Sequence, residues 1–159
     1  GIRLGVSGAD GTWMPAWYSV LLPPGEESLR EYRETTLMAD AELAKGPFEL
    51  RGETVRRRWQ TISAGNLDVN GGYGEARWSL SNGAWLAVRG EALQFSRVTT
   101  AALVRRPWDD NVQRWEGVIG YRMTRDVRLK LGGQRTIRQP FGLAQVTNDF
   151  LTAGLSLHF

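Results

Sequence analysis

The chain of 159 residues contains no cysteine, so disulfide staples and thiolate metal sites are excluded. A single histidine, His158, leaves no basis for a His-rich metal centre. No apolar run approaches the roughly 18–20 residues of a spanning helix, which excludes a helical membrane protein. Disorder is excluded as well, since 42% of the residues are hydrophobic and seven are tryptophan. An excess of one charge is also missing: 20 Lys and Arg face 17 Asp and Glu, interspersed along the chain, for a net charge of +3. Only Arg56-Arg57-Arg58 and Arg105-Arg106 form basic clusters. A nucleic-acid protein concentrates its charge on one face or arm, so no nucleic-acid partner is expected. The chain opens on Gly1 without a charged-then-apolar leader, so an exported form is expected to have lost its signal peptide already. The length suits one domain over 1–159.

What is present is alternation with period two, the mark of a strand with unlike faces. From Leu37 to Leu43 one parity reads Leu, Ala, Ala, Leu and the other Met, Asp, Glu. Past Lys45-Gly46-Pro47, Phe48, Leu50 and Gly52 alternate with Glu49, Arg51 and Glu53, which makes a hairpin. A second hairpin sets Gly74, Ala76, Trp78 and Leu80 against Glu75, Arg77 and Ser79, turns at Ser81-Asn82-Gly83, and continues with Leu86, Val88, Gly90 and Ala92 against Ala87, Arg89 and Glu91. A third runs from about Gln113 to Arg138 and turns at Thr124-Arg125-Asp126. Strands at Ile2–Ser7 and Leu151–Phe159 bring the expectation to eight. Helix is expected only for a turn or two around Glu26 to Arg33.

The connections are expected to alternate, with short turns near residues 46, 82 and 125 and longer loops over about 9–33, 60–67, 98–112 and 139–147. Short turns on one side and long loops on the other are the layout of an outer-membrane barrel. The polar parity is densely ionised, while the apolar parity mixes Leu and Val with Ala39, Ala41, Gly52, Gly74, Ala76, Gly90, Ala92 and Gly117. Small residues fill a packed core poorly but cost little against fluid acyl chains. Trp59 and Trp115 are placed near long-loop ends and Trp85 after a short turn, as the two interfaces of a membrane prefer. The fold expected is therefore all-β, an antiparallel transmembrane β-barrel.

The C-terminus adds a specific feature. Thr152-Ala153-Gly154-Leu155-Ser156-Leu157-His158-Phe159 reads polar–x–Gly–x–x–apolar–x–aromatic and ends on Phe. This resembles the C-terminal β-signal of bacterial outer-membrane β-barrel proteins. The resemblance implies recognition by the barrel-assembly machinery, with Gly154, Leu157 and Phe159 at the matching positions. The hairpin Asp40 to Glu53 and the stretch Tyr121 to Gln134 are also similar to the later strands of porin-type barrels. The resemblance implies the bacterial outer membrane as location, with outer-membrane lipid and lipopolysaccharide as surroundings and a homo-oligomer or larger membrane complex as assembly.

Two alternatives stay open. The first strand, seven or eight residues before Gly8-Ala9-Asp10-Gly11, falls short of the roughly 9–11 needed to cross, as though the chain were the C-terminal part of a larger barrel. The rival is a complete eight-stranded barrel. The inward charges likewise allow a water-filled passage or an interior plugged by ion pairs. In the first case the expected function is a porin-like channel for small hydrophilic solutes or ions; in the second, a non-conducting structural or interaction element. Glu49, Arg51, Glu53, Glu75, Arg77, Arg89, Glu91, Arg122, Arg128 and Lys130 are the candidate pore-lining residues. No catalytic constellation is expected, because His158 lies about 7 Å from its same-face neighbour Ser156. Asp109-Asp110-Asn111 and Asn148-Asp149 read as polar loop tips rather than a Ca²⁺ site, and no cofactor is called for. Arg56-Arg57-Arg58 is placed where glycolipid phosphates would sit, or on a solvated rim.

Overall fold

The computed structural model describes residues 1–22, 29, 32–62, 65–80, 83–99 and 104–157. Among the described residues ten strands form, in chain order: β1 (Ile2–Thr12), β2 (Arg33–Lys45), β3 (Phe48–Thr61), β4 (Gly65–Ser79), β5 (Ala84–Phe95), β6 (Arg97–Thr99), β7 (Arg105–Pro107), β8 (Asn111–Arg122), β9 (Val127–Gln139) and β10 (Val146–Leu157). Eight of them make one antiparallel meander in the order β1-β2-β3-β4-β5-β8-β9-β10. The two short strands β6 and β7 form a separate hairpin within the β5–β8 connection. A six-residue 3-10 helix, Ala16–Leu21, lies in the β1–β2 connection.

The all-β antiparallel architecture with eight principal strands is thus the one the alternation predicts, and several particulars differ. The sheet is not closed: β1 pairs only with β2 and β10 only with β9. β1 runs through the Gly8–Gly11 segment to Thr12, eleven residues, because those residues pair in register with Glu34–Leu37. The first strand is therefore not short of the roughly 9–11 residues needed to cross. The connection expected over 60–67 shrinks to 62–64, since β3 continues to Thr61 and β4 begins at Gly65. Gly65 turns there with φ of 70°, a left-handed value that suits glycine. Asn148 and Asp149 lie inside β10 rather than in a loop. The helical turn expected near Glu26 and the turn residues Ser81 and Asn82 lie outside the described residues.

Successive residues alternate in exposure along the central strands, and the sense of the alternation is inverted. On β8, Val112, Arg114, Glu116 and Val118 are half-buried, whereas Gln113, Trp115, Gly117 and Ile119 are exposed. On β5, Ala87, Arg89 and Glu91 are half-buried and Leu86, Val88 and Ala92 exposed. The charged parity forms the sheltered face and the apolar parity the open one. Val6 is 86% and Leu151 93% exposed. Among the described residues no large side chain is fully buried, and the buried apolar residues are only Met14, Tyr32 and Val69. This sheet has no ordinary core beneath its apolar face.

Two glycines let tryptophan rings lie against the backbone. On the sheltered face the Trp85 ring occupies the space where a side chain of Gly120, its cross-strand partner, would begin. On the open face Trp115 lies over Gly90 in the same manner, where an added Cβ would meet the ring at 2.7 Å. Gly120→Ala should therefore force Trp85 out of place and lower stability by about 1–3 kcal/mol. Gly117→Ala, whose Cβ meets nothing within 4 Å, should be nearly neutral. Thermal unfolding of the two variants checks this, and equal costs would contradict the packing described.

Candidate functional site: the charged sheltered face

The two-residue turn at Gly46-Pro47 and the antiparallel register place charges of opposite sign opposite one another across six strands. Arg3 faces Glu42, which faces Arg51, then Glu75, Arg89 and Glu116 in turn. Three of this ladder's five steps close to 4 Å or less. Arg3 Nη2 lies 2.5 Å from Glu42 Oε2, Arg51 Nε 3.8 Å from the same oxygen, and Arg89 Nη1 3.9 Å from Glu75 Oε2. Arg51 also pairs with Glu49. Arg89 reaches Glu91 at 3.3 Å, and Arg114 reaches the other oxygen of Glu91 at 2.9 Å. The Arg89 guanidinium stacks 3.9 Å from the Tyr73 ring centre. Side chains along this row keep substantial exposure (Arg89 36%, Arg51 49%), so the ion pairs are wet.

Charge is unevenly divided on either side of the ladder. Toward the long connections, Asp40 sits directly opposite Glu53, and Tyr73 separates Glu53 from Glu91. A concavity of about 390 Å³ opens here, lined by Glu53, Tyr73, Glu91, Arg114 and Arg138 among others. Toward the short turns the face is basic, with Arg77, Arg122, Arg128 and Lys130 around Trp85. Above the acids the face turns apolar and aromatic. Trp108, from the β5–β8 connection, packs edge-on against Trp59 and Phe95 with ring centres 5.7 and 4.7 Å away, and its indole N–H donates to the Asp68 carbonyl at 3.0 Å.

The open face carries a different pattern. Its apolar positions run from Phe48 to Thr54 on β3 and from Leu151 to Leu157 on β10, about 20 Å of strand at roughly 3.4 Å per residue. At the short-turn end Phe48 stacks on Trp78, with ring centres 5.6 Å apart. At the other end the same face becomes a collar of ion pairs. Arg33 pairs with Asp10, Arg58 Nε with Asp68 at 2.6 Å, and Arg135 Nε with Asp149 at 2.8 Å.

The ten residues singled out as pore-lining all lie on the sheltered face, since each is linked by the register to the others' parity. Arg3, Glu34, Asp40, Glu42, Arg57, Arg114, Glu116 and Arg138 share it. Arg3 and Arg114 were legible from parity alone, because each precedes or follows an apolar outward residue. The basic run divides: Arg57 turns inward to Glu34 and Thr36, at 3.1 and 3.0 Å, whereas Arg58 turns outward. Trp59 and Trp85 also face the sheltered side, so they do not belong to an outward aromatic girdle; Phe48, Trp78 and Tyr121 hold the outward positions near the short turns. Of the assembly-signal residues, Gly154 opposes Lys130 and Leu157 opposes Val127. Phe159 lies outside the described residues.

No family model matches this chain, and neither a curated protein nor a solved structure is similar to it. Function therefore has to be argued from the face itself. Its chemistry is that of a wet wall of fixed charges, able to orient polar solutes and concentrate counter-ions. Reversal of Arg89 to Glu would set a fourth acid beside Glu75, Glu91 and Glu116. It should cost about 1–2 kcal/mol, more than the ~0–1 kcal/mol of removing the charge in Arg89→Gln. Denaturant melts at low and high salt check this: the excess cost of the reversal should shrink as salt rises.

Proposed function

We propose that this sheet is part of the wall of a bacterial outer-membrane β-barrel, with the charged face toward a water-filled passage for small hydrophilic solutes or ions. The observation that carries this reading is the inverted burial: leucines and valines on the open face, guanidinium and carboxylate groups on the sheltered one. In water such a sheet forfeits its main stabilisation, whereas acyl chains against the open face restore it. Strands of 11–15 residues are long enough to cross with tilt. The collar of ion pairs above the apolar band fits a boundary where lipid gives way to headgroups and water.

Two further points favour a passage over a plug. A closed eight-stranded barrel packs its interior with side chains. Here the charged side chains are half-exposed and the edges of β1 and β10 remain unpaired. Edge groups facing lipid need partners, so further strands between these edges, giving a wider barrel, satisfy both facts.

The reading is tested with single spin labels, which the cysteine-free chain accepts cleanly. In bilayers, labels at Leu129 and Leu155 should be relaxed by lipid-phase oxygen, and labels at Lys130 and Ser156 by a water-soluble reagent. Equal accessibility on both faces would overturn the membrane placement. Reconstituted protein should conduct, and joint replacement of Arg77, Arg89 and Arg128 by Glu should shift selectivity toward cations, because wall charge sets the local counter-ion concentration. A silent bilayer would retire the passage.

A further inference from the structure

At the short-turn end of the sheltered face Arg77, Arg122, Arg128 and Lys130 gather, and Glu49, the cross-strand partner of Arg77, is taken up by Arg51. Arg122 and Arg128 are direct cross-strand partners at the ends of β8 and β9. Like charges in that position repel. Arg77, from β4, and Lys130, one position further along the face of β9, flank the Trp85 ring at 4.7 and 5.9 Å from its centre. None of the ion pairs among the described residues includes Arg77, Arg122, Arg128 or Lys130. The Nε–H groups of Arg77 and Arg128 are shielded from solvent and lack an acceptor. Elsewhere on this face Arg3, Arg51, Arg57 and Arg89 each hold a carboxylate. The cluster is therefore a local exception to the pairing that governs the ladder.

The three arginines and Trp85 line one concavity of about 210 Å³, together with Ser79, Leu80, Gly83 and Ala84. Its backbone is fitted to the purpose. Gly120 lets the indole lie flat so that Arg77 and Lys130 rest on either side, and Gly83, at φ of 81°, would otherwise drive a side chain into the Arg122 carbonyl at 2.9 Å. Unsatisfied guanidinium donors converging on a cavity are what a tetrahedral or planar oxyanion requires, since Arg binds phosphate and carboxylate through paired N–H groups.

We infer that the Arg77–Trp85–Arg122–Arg128 cavity, with Lys130 at its rim, binds a small soluble oxyanion, phosphate or a carboxylate-bearing solute. The site lies on the charged face, away from the apolar band, which favours a solute over a lipid headgroup. The inference rests on the wet sheltered face of the reading above, not on conduction. It gives the solute class of that passage as anionic at this mouth, and an oxyanion there removes the Arg122–Arg128 repulsion.

The test is calorimetric titration of inorganic phosphate into the full chain in neutral detergent micelles at fixed ionic strength. Saturable one-to-one binding is expected, and phosphate should raise the melting temperature. Arg122→Gln/Arg128→Gln should weaken binding at least about tenfold through loss of charge-assisted bonds. Without phosphate that variant should melt no lower than wild type, since a repulsive pair is gone. Lys130→Gln, at an exposed position, is a second variant expected to weaken binding with no folding defect. Arg135→Gln, on the opposite face, should bind as wild type does. Absence of saturable binding, or binding unchanged in both site variants, overturns the inference. Loss of phosphate binding on adding phosphatidylglycerol to the micelles also overturns it, in favour of a lipid headgroup. Phosphate binding with a silent bilayer would retire only the passage, and conduction without phosphate binding only this site.

Discussion

Opposite charges select the register of the central strands. In the antiparallel meander Arg51 opposes Glu75, Glu75 opposes Arg89, and Arg89 opposes Glu116. A slip of one residue would turn every apolar side chain to the charged face. A slip of two keeps the faces but sets Arg51 against Arg77 or Glu49 against Glu75 on the β3–β4 pair, and Arg89 against Arg114 or Glu91 against Glu116 on the β5–β8 pair. Each wet pair is worth little alone. As a ladder they penalise the nearest wrong registers of the β3–β4 and β5–β8 pairs, so their contribution is selectivity among sheets more than stability of one.

From that register follows the separation of chemistries that defines the molecule. Once Arg89 and Glu116 share a face, Val88 and Gly117 must share the other, and the apolar set gathers without any layer to cover it. Each Leu or Val left open forgoes roughly 1.5–3 kcal/mol that burial would contribute. Across β1, β8, β9 and β10 this leaves Val6, Ile119, Leu131 and Leu151 open on one face. The same separation leaves the sheltered face free to vary. It runs from acid at Asp40 and Glu53 to base at Arg122 and Arg128 without disturbing the outer surface.

The half of each strand nearest the short turns was plain in the sequence, because there one parity is apolar and the other ionised. The other half was hidden. Arg56 and Arg58 point outward, as do Asp68 and Asn70 opposite them, so both parities read polar and the β3–β4 connection looked longer than it is. Gly8 to Gly11 hid the end of β1 in the same way. Trp59 and Trp85 share parity with Arg57 and Arg89, and that arithmetic outweighs their nearness to strand ends. Closure was beyond reach, since it depends on how strongly the strands twist and coil together. The unpaired arginines needed the register, which links residues 45 positions apart (Arg77 and Arg122) through Trp85 and Gly120.

The two free edges carry a kinetic consequence. β1 presents unpaired backbone donors and acceptors alongside Ile2, Leu4 and Val6, and β10 does so alongside Leu151 and Leu155. Such edges are templates, and a newly made chain in water would recruit a neighbour's strand as readily as its proper one, growing toward fibrillar or amorphous aggregate. Arg3, tied to Glu42, and Asp10, tied to Arg33, stand as charged gatekeepers on β1, and nothing comparable guards the middle of β10. Masking β10 would remove the less guarded of the two templates.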